Sequence, residues 1–353
     1  MRESTIDTKR TLRGLLVALS AVAALAVAAC GEDDKSAAGA KPAGTPTAGL
    51  EDQAIAKLVP EEIKRRGELI IATNAPYAPL EYFDEDNKTL IGFDIDIGYA
   101  VGKVLGLKTT FKNTSFDSII PGLKAGRYDI GIAGFSAERE RLAVVDFVSY
   151  YLTGGGFLVK KGSGIEVNDF KEKMCGLRVA VQKGVSQVER IKKADEYCRS
   201  RGKEPVEKLE IPDQNVVVLT LTSDRADVVV ADKPQVEYAS KQSDGKLCVT
   251  GAYRTAHSIT GIAVPKRLSE FDPALQKAVN KLIESGEYQR IAKKWGVGVK
   301  GAVGEVAKDY AKIAEPWGVG PDGSVKESKV FTDAKQIDPS EDIFPQPIKE
   351  GCA

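Results

Sequence analysis

Residues able to hold a small charged molecule gather where short apolar runs end. The run Ile130–Ala133 closes in Gly134, then Ser136, then a charged turn carrying Arg141. A small residue at a strand end lets a ligand approach the backbone closely. A hydroxyl beside a planar guanidinium fork suits a carboxylate held by two parallel bonds. A strand, a turn and a solvated arginine would give the same local pattern, so the other run ends decide. The run Glu68–Thr73 ends in Asn74, followed by Tyr77 between Pro76 and Pro79, and Phe116 opens a later segment on the same side. Leu177–Val181 ends in Gln182, Lys183, Gly184, Val185 and Ser186, where backbone N–H groups at a helix start would favour an anion. Asp227–Ala231 ends in Asp232. Ser186 and Asp232 also suit the role of helix cap.

Taken together, these groups fit an α-amino acid. Its carboxylate would take Arg141, Ser136 and the Ser186 region. Its ammonium would take Asp232, and its side chain would lie between Tyr77 and Phe116. Enclosing a zwitterion costs several kcal/mol, as an order of magnitude, unless every charge finds a partner. Metal chemistry has little support, with one histidine, His257, and no His/Cys cluster. No cofactor is expected. Fifty basic residues balance 50 acidic ones, which gives no field for nucleic acid.

The elements that would position these residues alternate. Glu68–Thr73, Lys108–Phe111 and Asp129–Ala133 read as strands, and Gly92–Leu105 and Phe116–Ala125 as helices. This β-α-β-α-β order predicts a mostly parallel sheet covered by helices. The pattern repeats with strands at Leu177–Val181, Glu207–Ile211 and Asp227–Ala231 and helices at 184–199 and 214–223. A Gly-rich stretch, Thr153–Val159, joins the two units. Gly261–Pro265 returns, followed by helices at Pro273–Ser285 and Glu287–Trp295. The expectation is an α/β, two-lobed fold with two hinge crossings. Its first lobe would comprise 59–152 and 261–298, its second 153–260, and a surface extension 299–353, with a helix near Glu305–Ala314.

The N-terminus reads as an export signal. Lys9, Arg10 and Arg13 precede an apolar run, Gly14–Ala29, of about the length of a signal core. It ends in Val27-Ala28-Ala29-Cys30, similar to a lipoprotein cleavage box in which residues 1–29 are removed and the Cys30 thiol carries lipid. Removal of residues 1–29 takes four basic and two acidic residues with it, leaving a net charge near −2. An uncleaved anchor is the alternative, and the shortness of the run weighs against it. Residues 30–58 are expected to be a flexible tether, since 31–47 hold almost nothing large and apolar. Four further cysteines allow three pairings. Cys175 and Cys198 flank one helix-like stretch and are the favoured pair. Cys248 with Cys352 would staple the tail to the body.

Spread over about two thirds of the chain are Glu68-Leu-Ile-Ile-Ala-Thr73, Tyr77-Ala-Pro79, Ile91-Gly-Phe-Asp-Ile-Asp96, Phe116-Asp-Ser-Ile-Ile-Pro-Gly-Leu123, Gly126-Arg-Tyr-Asp129, Glu140-Arg141 and Val145-Asp-Phe147. Val179-Ala-Val-Gln-Lys-Gly184, Arg225–Asp232, Gly261–Lys266 and Lys294-Trp295 follow in order. This ordered set resembles the bacterial extracellular solute-binding proteins of family 3, the polar amino-acid receptors of ABC importers, and the resemblance implies their two-lobed, periplasmic-binding-protein-like (type II) fold. The resemblance implies that Arg141 binds a ligand carboxylate with help from Ser136 and Ser186, and that Asp232 binds the amino group. It also implies aromatic contact from Tyr77 and Phe116. Its implied partners are a permease and ATPase subunits, for a monomeric receptor lipid-anchored at Cys30 on the outer face of the membrane. The chain departs from the pattern at Glu138, where threonine is common, and at Val185, where a hydroxyl is common. Asn74 stands where many receptors of cationic amino acids carry aspartate, which argues against lysine or arginine. Two other classes share such a fold: an enzyme, with His257 or Glu138 as acid or base, and a sensing module.

Overall fold

A computed structural model describes residues 49–254, 259–297, 326–337, 344–346 and 352. The signal segment, Cys30, most of the tether, His257 and the helix expected near Glu305–Ala314 lie outside the described residues.

Two short helices, α1 (Gln53–Ala56) and α2 (Glu61–Arg66), open the body. There follow β1 (Glu68–Thr73), β2 (Tyr82–Phe83), β3 (Leu90–Ile91), α3 (Phe93–Val104), β4 (Lys108–Asn113), α4 (Phe116–Lys124), β5 (Ile130–Gly131) and β6 (Val145–Leu152). Next come β7 (Gly155–Lys160), β8 (Arg178–Gln182), α5 (Gln187–Ser200), β9 (Glu207–Ile211), α6 (Gln214–Thr222), β10 (Val228–Asp232), α7 (Lys233–Gln242) and β11 (Leu247–Arg254). The chain then returns through β12 (Ile259–Pro265), α8 (Asp272–Glu284) and α9 (Glu287–Trp295), and ends with β13 (Val330–Phe331) and β14 (Phe344–Gln346).

Two six-stranded sheets result. The first runs β13-β6-β12-β5-β1-β4 and the second β14-β11-β7-β10-β8-β9. In each, the strands that end at the cleft pair in parallel: β1 with β4 and β5, β8 with β9 and β10. Inner parallel strands are buried on both faces, which explains the apolar runs of β1, β8 and β10, whereas the edge strands β4 and β9 are polar and partly exposed. Val228–Asp232 is buried at every position. The first sheet is packed by α3, α8 and α9 through Phe93, Tyr150, Leu275 and Tyr288, and on its other face around Phe135 and Phe147. The second buries Phe157, Val181 and Ile191 on one face and Leu158, Val217 and Val229 on the other.

The crossings differ in detail from expectation. Residues 153–154 make the first, because β7 already belongs to the second sheet from Gly155. The chain is back in the first sheet by Ile259, where β12 begins to pair with β6, two residues earlier than the expected lobe boundary. The tether also ends earlier than residue 58. Leu50 and Ile55 are buried against the first lobe, and Asp52 caps α1 by accepting from the N–H groups of Ala54 and Ile55.

Cys175 is bonded to Cys198 and Cys248 to Cys352. The first bridge closes a 23-residue separation within the second lobe. The second closes 104 residues and brings the C-terminus back to β11. Loops of these lengths remove about 3 to 5 kcal/mol of unfolded-chain entropy each.

Candidate functional site

A cavity lies between the carboxyl ends of the two sets of parallel strands. That is where open α/β sheets place ligands. Seven of the sequence-predicted residues line it: Tyr77, Phe116, Gly134, Ser136, Arg141, Ser186 and Asp232. Asn74 does not. Its amide donates to Thr114 O at 2.8 Å and its Oδ1 accepts from Gln182 Nε2 at 2.7 Å, so both ends are spent behind the wall.

Arg141 is held from three sides. It donates to Ser136 O at 2.9 Å and across the cleft to Gly184 O at 3.1 Å. Its guanidinium carbon sits 5.4 Å from the Phe116 ring centre and 5.5 Å from that of Phe135, and the two rings stack at 4.6 Å. A guanidinium over an aromatic face gains about 0.5 to 2 kcal/mol. Phe116 is therefore a support for Arg141 as well as a wall. Gly134 adopts φ +59°, and a Cβ there would approach Leu80 Cδ1 at 3.1 Å and Asp232 Oδ2 at 3.7 Å. Glycine keeps the backbone low at the cavity floor.

Asp232 and Ser186 are both at N-cap positions, of α7 and α5, yet neither side chain caps its helix. Asp232 Oδ1 accepts from Gln187 Nε2 at 3.0 Å, and its backbone N–H donates to the Tyr77 hydroxyl at 3.2 Å. Burial pushes its carboxyl up to about 6, against the pull of Tyr77, Gln187 and Arg141. A carboxylate so placed gains a partner when a cation enters. Ser186 Oγ accepts from Arg190 Nη1 at 3.0 Å, and Arg190 lies 3.7 Å from Glu138 of the other lobe.

Glu81 is the residue that sequence reasoning missed. It lines the cavity, is 1% exposed, and its Oε2 has no hydrogen-bond partner among the described residues. Burial, then the carboxyls of Asp94 and Asp232, push its proton affinity well up. Asp94, wholly buried, accepts from Gly134 N at 2.8 Å and is raised to about 6 by burial. The backbone forces these two acids together. Tyr77 and Glu81 form an antiparallel bridge, and the first amides of α3 donate to the same turn, Phe93 N to Pro79 O and Asp94 N to Leu80 O. Gly92, at φ +138°, permits the approach, since a Cβ there would lie 2.1 Å from Leu80 O. No local sequence signal reports this approach, since β2 and β3 separate Glu81 from Gly92 along the chain. Gln182 and Gln187 were missed as well. Gln187 follows Ser186 directly at a helix start, which could have placed it.

Further contacts cross the cleft. Lys183 pairs with Asp117 at 2.9 Å, and a Cβ on Gly184 would meet Asp117 Cβ at 3.0 Å. The lobes are thus closed on each other.

Two sheets joined by short crossings, with a polar cavity shared between them, define a two-lobed solute receptor. Residues 69–298 match the bacterial extracellular solute-binding proteins, family 3, and the chain belongs to that family. It is a substrate-binding protein of the kind that serves ABC importers, and it works outside the cytoplasm. Among the described residues no helix is long and apolar enough to cross a membrane. The chain is 33% identical over 244 residues to the arginine-binding protein ArgT of Corynebacterium glutamicum, covering 69% of this chain and 79% of that one. An ancestral arginine-binding protein bound to arginine is similar in structure, with a TM-score of 0.60 and 33% identity over 65% of this chain and 98% of the other. So is the ancestral amino acid-binding protein AncCDT-1, a precursor of cyclohexadienyl dehydratase, at TM-score 0.60 and 29% identity over 68% and 99%.

Proposed function

We propose that this receptor captures an amino acid with a cationic side chain, arginine foremost, and presents it to a membrane permease and its ATPases. The observation that carries this reading is one cavity lined by Arg141 from the first lobe, Asp232 from the second, and Glu81, whose Oε2 has no hydrogen-bond partner among the described residues. Arg141 with Ser136 and Ser186 would take the α-carboxylate, and Asp232 the ammonium. Tyr77 and Phe116 would flank the aliphatic stem. Glu81, backed by Asp94, would take the guanidinium. Two buried acids with a shared proton are costly, and a ligand cation offsets that cost by letting Glu81 ionise. Asn74 in place of an aspartate argued against such a ligand. Glu81 supplies the missing anion from a different position. The arginine-binding relatives support the same choice.

Closure needs both lobes to touch the ligand head group, so the ligand stabilises the closed state that the permease recognises. No chemistry is assigned to the cavity. Glu138, the acid nearest Arg141 in sequence, lies 3.7 Å from Arg190 and is engaged in that pairing. We read the chain as a monomeric lipoprotein cleaved before Cys30 and tethered to the outer face of the membrane. The test is a thermal-shift screen of the purified protein against the amino acids and small polyamines, alongside prephenate as a turnover control. Arginine should give the largest rise in melting temperature. A larger response to a neutral amino acid, or turnover of prephenate, would displace this reading. Loss of detergent-phase partitioning in Cys30→Ala would test the anchor.

A further inference from the structure

We propose that the C-terminal extension is a third connection between the lobes, secured by the Cys248–Cys352 bridge, that restrains how far they open. The proposal rests on the reading that opening admits the solute. Each end of the extension is built into a different sheet. On the first lobe, β13 adds to the edge of β6, with Val330 opposite Val148 and Phe331 opposite Phe147. Phe331 and Ile337, each 1% exposed, enter the core of that lobe. Ser328 and Lys329 lock onto Ser149 through three bonds of 2.8 Å: Ser328 Oγ to Ser149 O, Lys329 N to Ser149 Oγ, and Ser149 N to Lys329 O.

On the second lobe, β14 adds to the edge of β11, with Phe344 opposite Arg254 and Gln346 opposite Ala252. Cys352, further on, is bonded to Cys248 near the other end of β11. Three paired residues make a weak strand by themselves. The bridge prevents that strand from leaving, because the chain beyond it is covalently fixed to the strand it pairs with.

The anchors sit at the hinge. β6 runs into the outgoing crossing at 153–154, and β11, which ends at Arg254, is the last strand of the second sheet before β12 takes the chain back to the first. Two crossings permit rotation about the line between them. A third link on the outer edges of both sheets must stretch when β6 and β11 separate. Only residues 338–343 lie between Ile337 and Phe344, so the two anchors can part by at most roughly 25 Å. The other bridge, Cys175–Cys198, lies within the second lobe and spans no crossing. It provides the control.

The experiment places a protease recognition site within 338–343 of the full chain and cuts it after folding. Every anchor residue is kept and only the link is severed. Small-angle scattering without ligand and stopped-flow release of L-arginine are compared before and after cutting. The expected result is a larger radius of gyration without ligand, no change with saturating L-arginine, and release faster by about tenfold, equivalent to about 1.4 kcal/mol in the opening barrier. C248S/C352S in the uncut protein should shift both readouts the same way by less. An unchanged ligand-free radius and release rate after cutting would overturn the proposal, as would an equal response from C175S/C198S. If L-arginine does not bind at all, the failure belongs to the ligand reading, and the ligand-free scattering alone still decides this one.

Discussion

One part of the cavity wall is shared and another is not. Arg141 and Ser136 of the first lobe face Asp232, Gln187 and Ser186 of the second, whereas Tyr77 and Glu81, with Asp94 buried behind the wall, belong to the first. The shared part is complete only when the lobes meet, so whatever it holds is coupled to closure. The acid pair is built within the first lobe alone, Glu81 on the turn bridged to Tyr77 and Asp94 in the first turn of α3 packed on it. Closure is thus tied to groups every amino acid carries, and choice among amino acids to groups that need no closure. That division explains how one mechanism serves receptors of different specificity.

The division can be broken most severely at Arg141. Arg141→Ala should weaken arginine binding by about a thousandfold, since removing one partner of a buried charge pair costs about 2 to 5 kcal/mol. Calorimetry should register the loss while circular dichroism shows an intact fold. Asp232→Asn should cost about a hundredfold on the same reasoning and should affect all ligands alike. Glu81→Gln sharpens the contrast. It should lower arginine affinity by about thirtyfold, within the 1.5 to 3 kcal/mol of a charged hydrogen bond, and leave neutral amino acids nearly unaffected. A uniform loss across ligands would place Glu81 with the shared part instead.

Acidity gives a smaller effect. Asp232 in the closed ligand-free protein titrates at about 6, raised by burial, and a ligand ammonium lowers that value. Below pH 6 the carboxyl must shed a proton before the ammonium can pair, so affinity falls as pH falls, by at most about tenfold per unit. With arginine the proton displaced from Glu81, which burial holds well above the usual carboxylate range, adds to this fall and carries it above pH 7. Titration calorimetry of Glu81→Gln at pH 5 and 7.5 isolates the Asp232 contribution, and adding Asp232→Asn should abolish it.

The shared part of the wall was legible in the sequence because it sits at strand ends. Gly134, Ser136, Arg141, Ser186 and Asp232 each follow an apolar run, and the α/β pattern fixes where such ends converge. The acid pair was not legible. Glu81 lies in a turn, and nothing local reports that its carboxyl is 1% exposed. Asn74 misled for the opposite reason: it stands at a strand end, but Thr114 and Gln182 claim its amide. The helix after β10 and the outermost strand of each sheet also went unread. α7 begins with Lys233-Pro234 directly after a buried strand, and β13 and β14 hold two and three residues, too few for any periodicity to register.

The central claim is that one bound molecule bridges a guanidinium on the first lobe and a carboxylate on the second. Isothermal titration of the wild-type chain with L-arginine and with agmatine, which lacks only the carboxylate, tests it most directly. Heat with arginine and none with agmatine is the predicted result. Equal affinity for the two, or no heat from either, would contradict it.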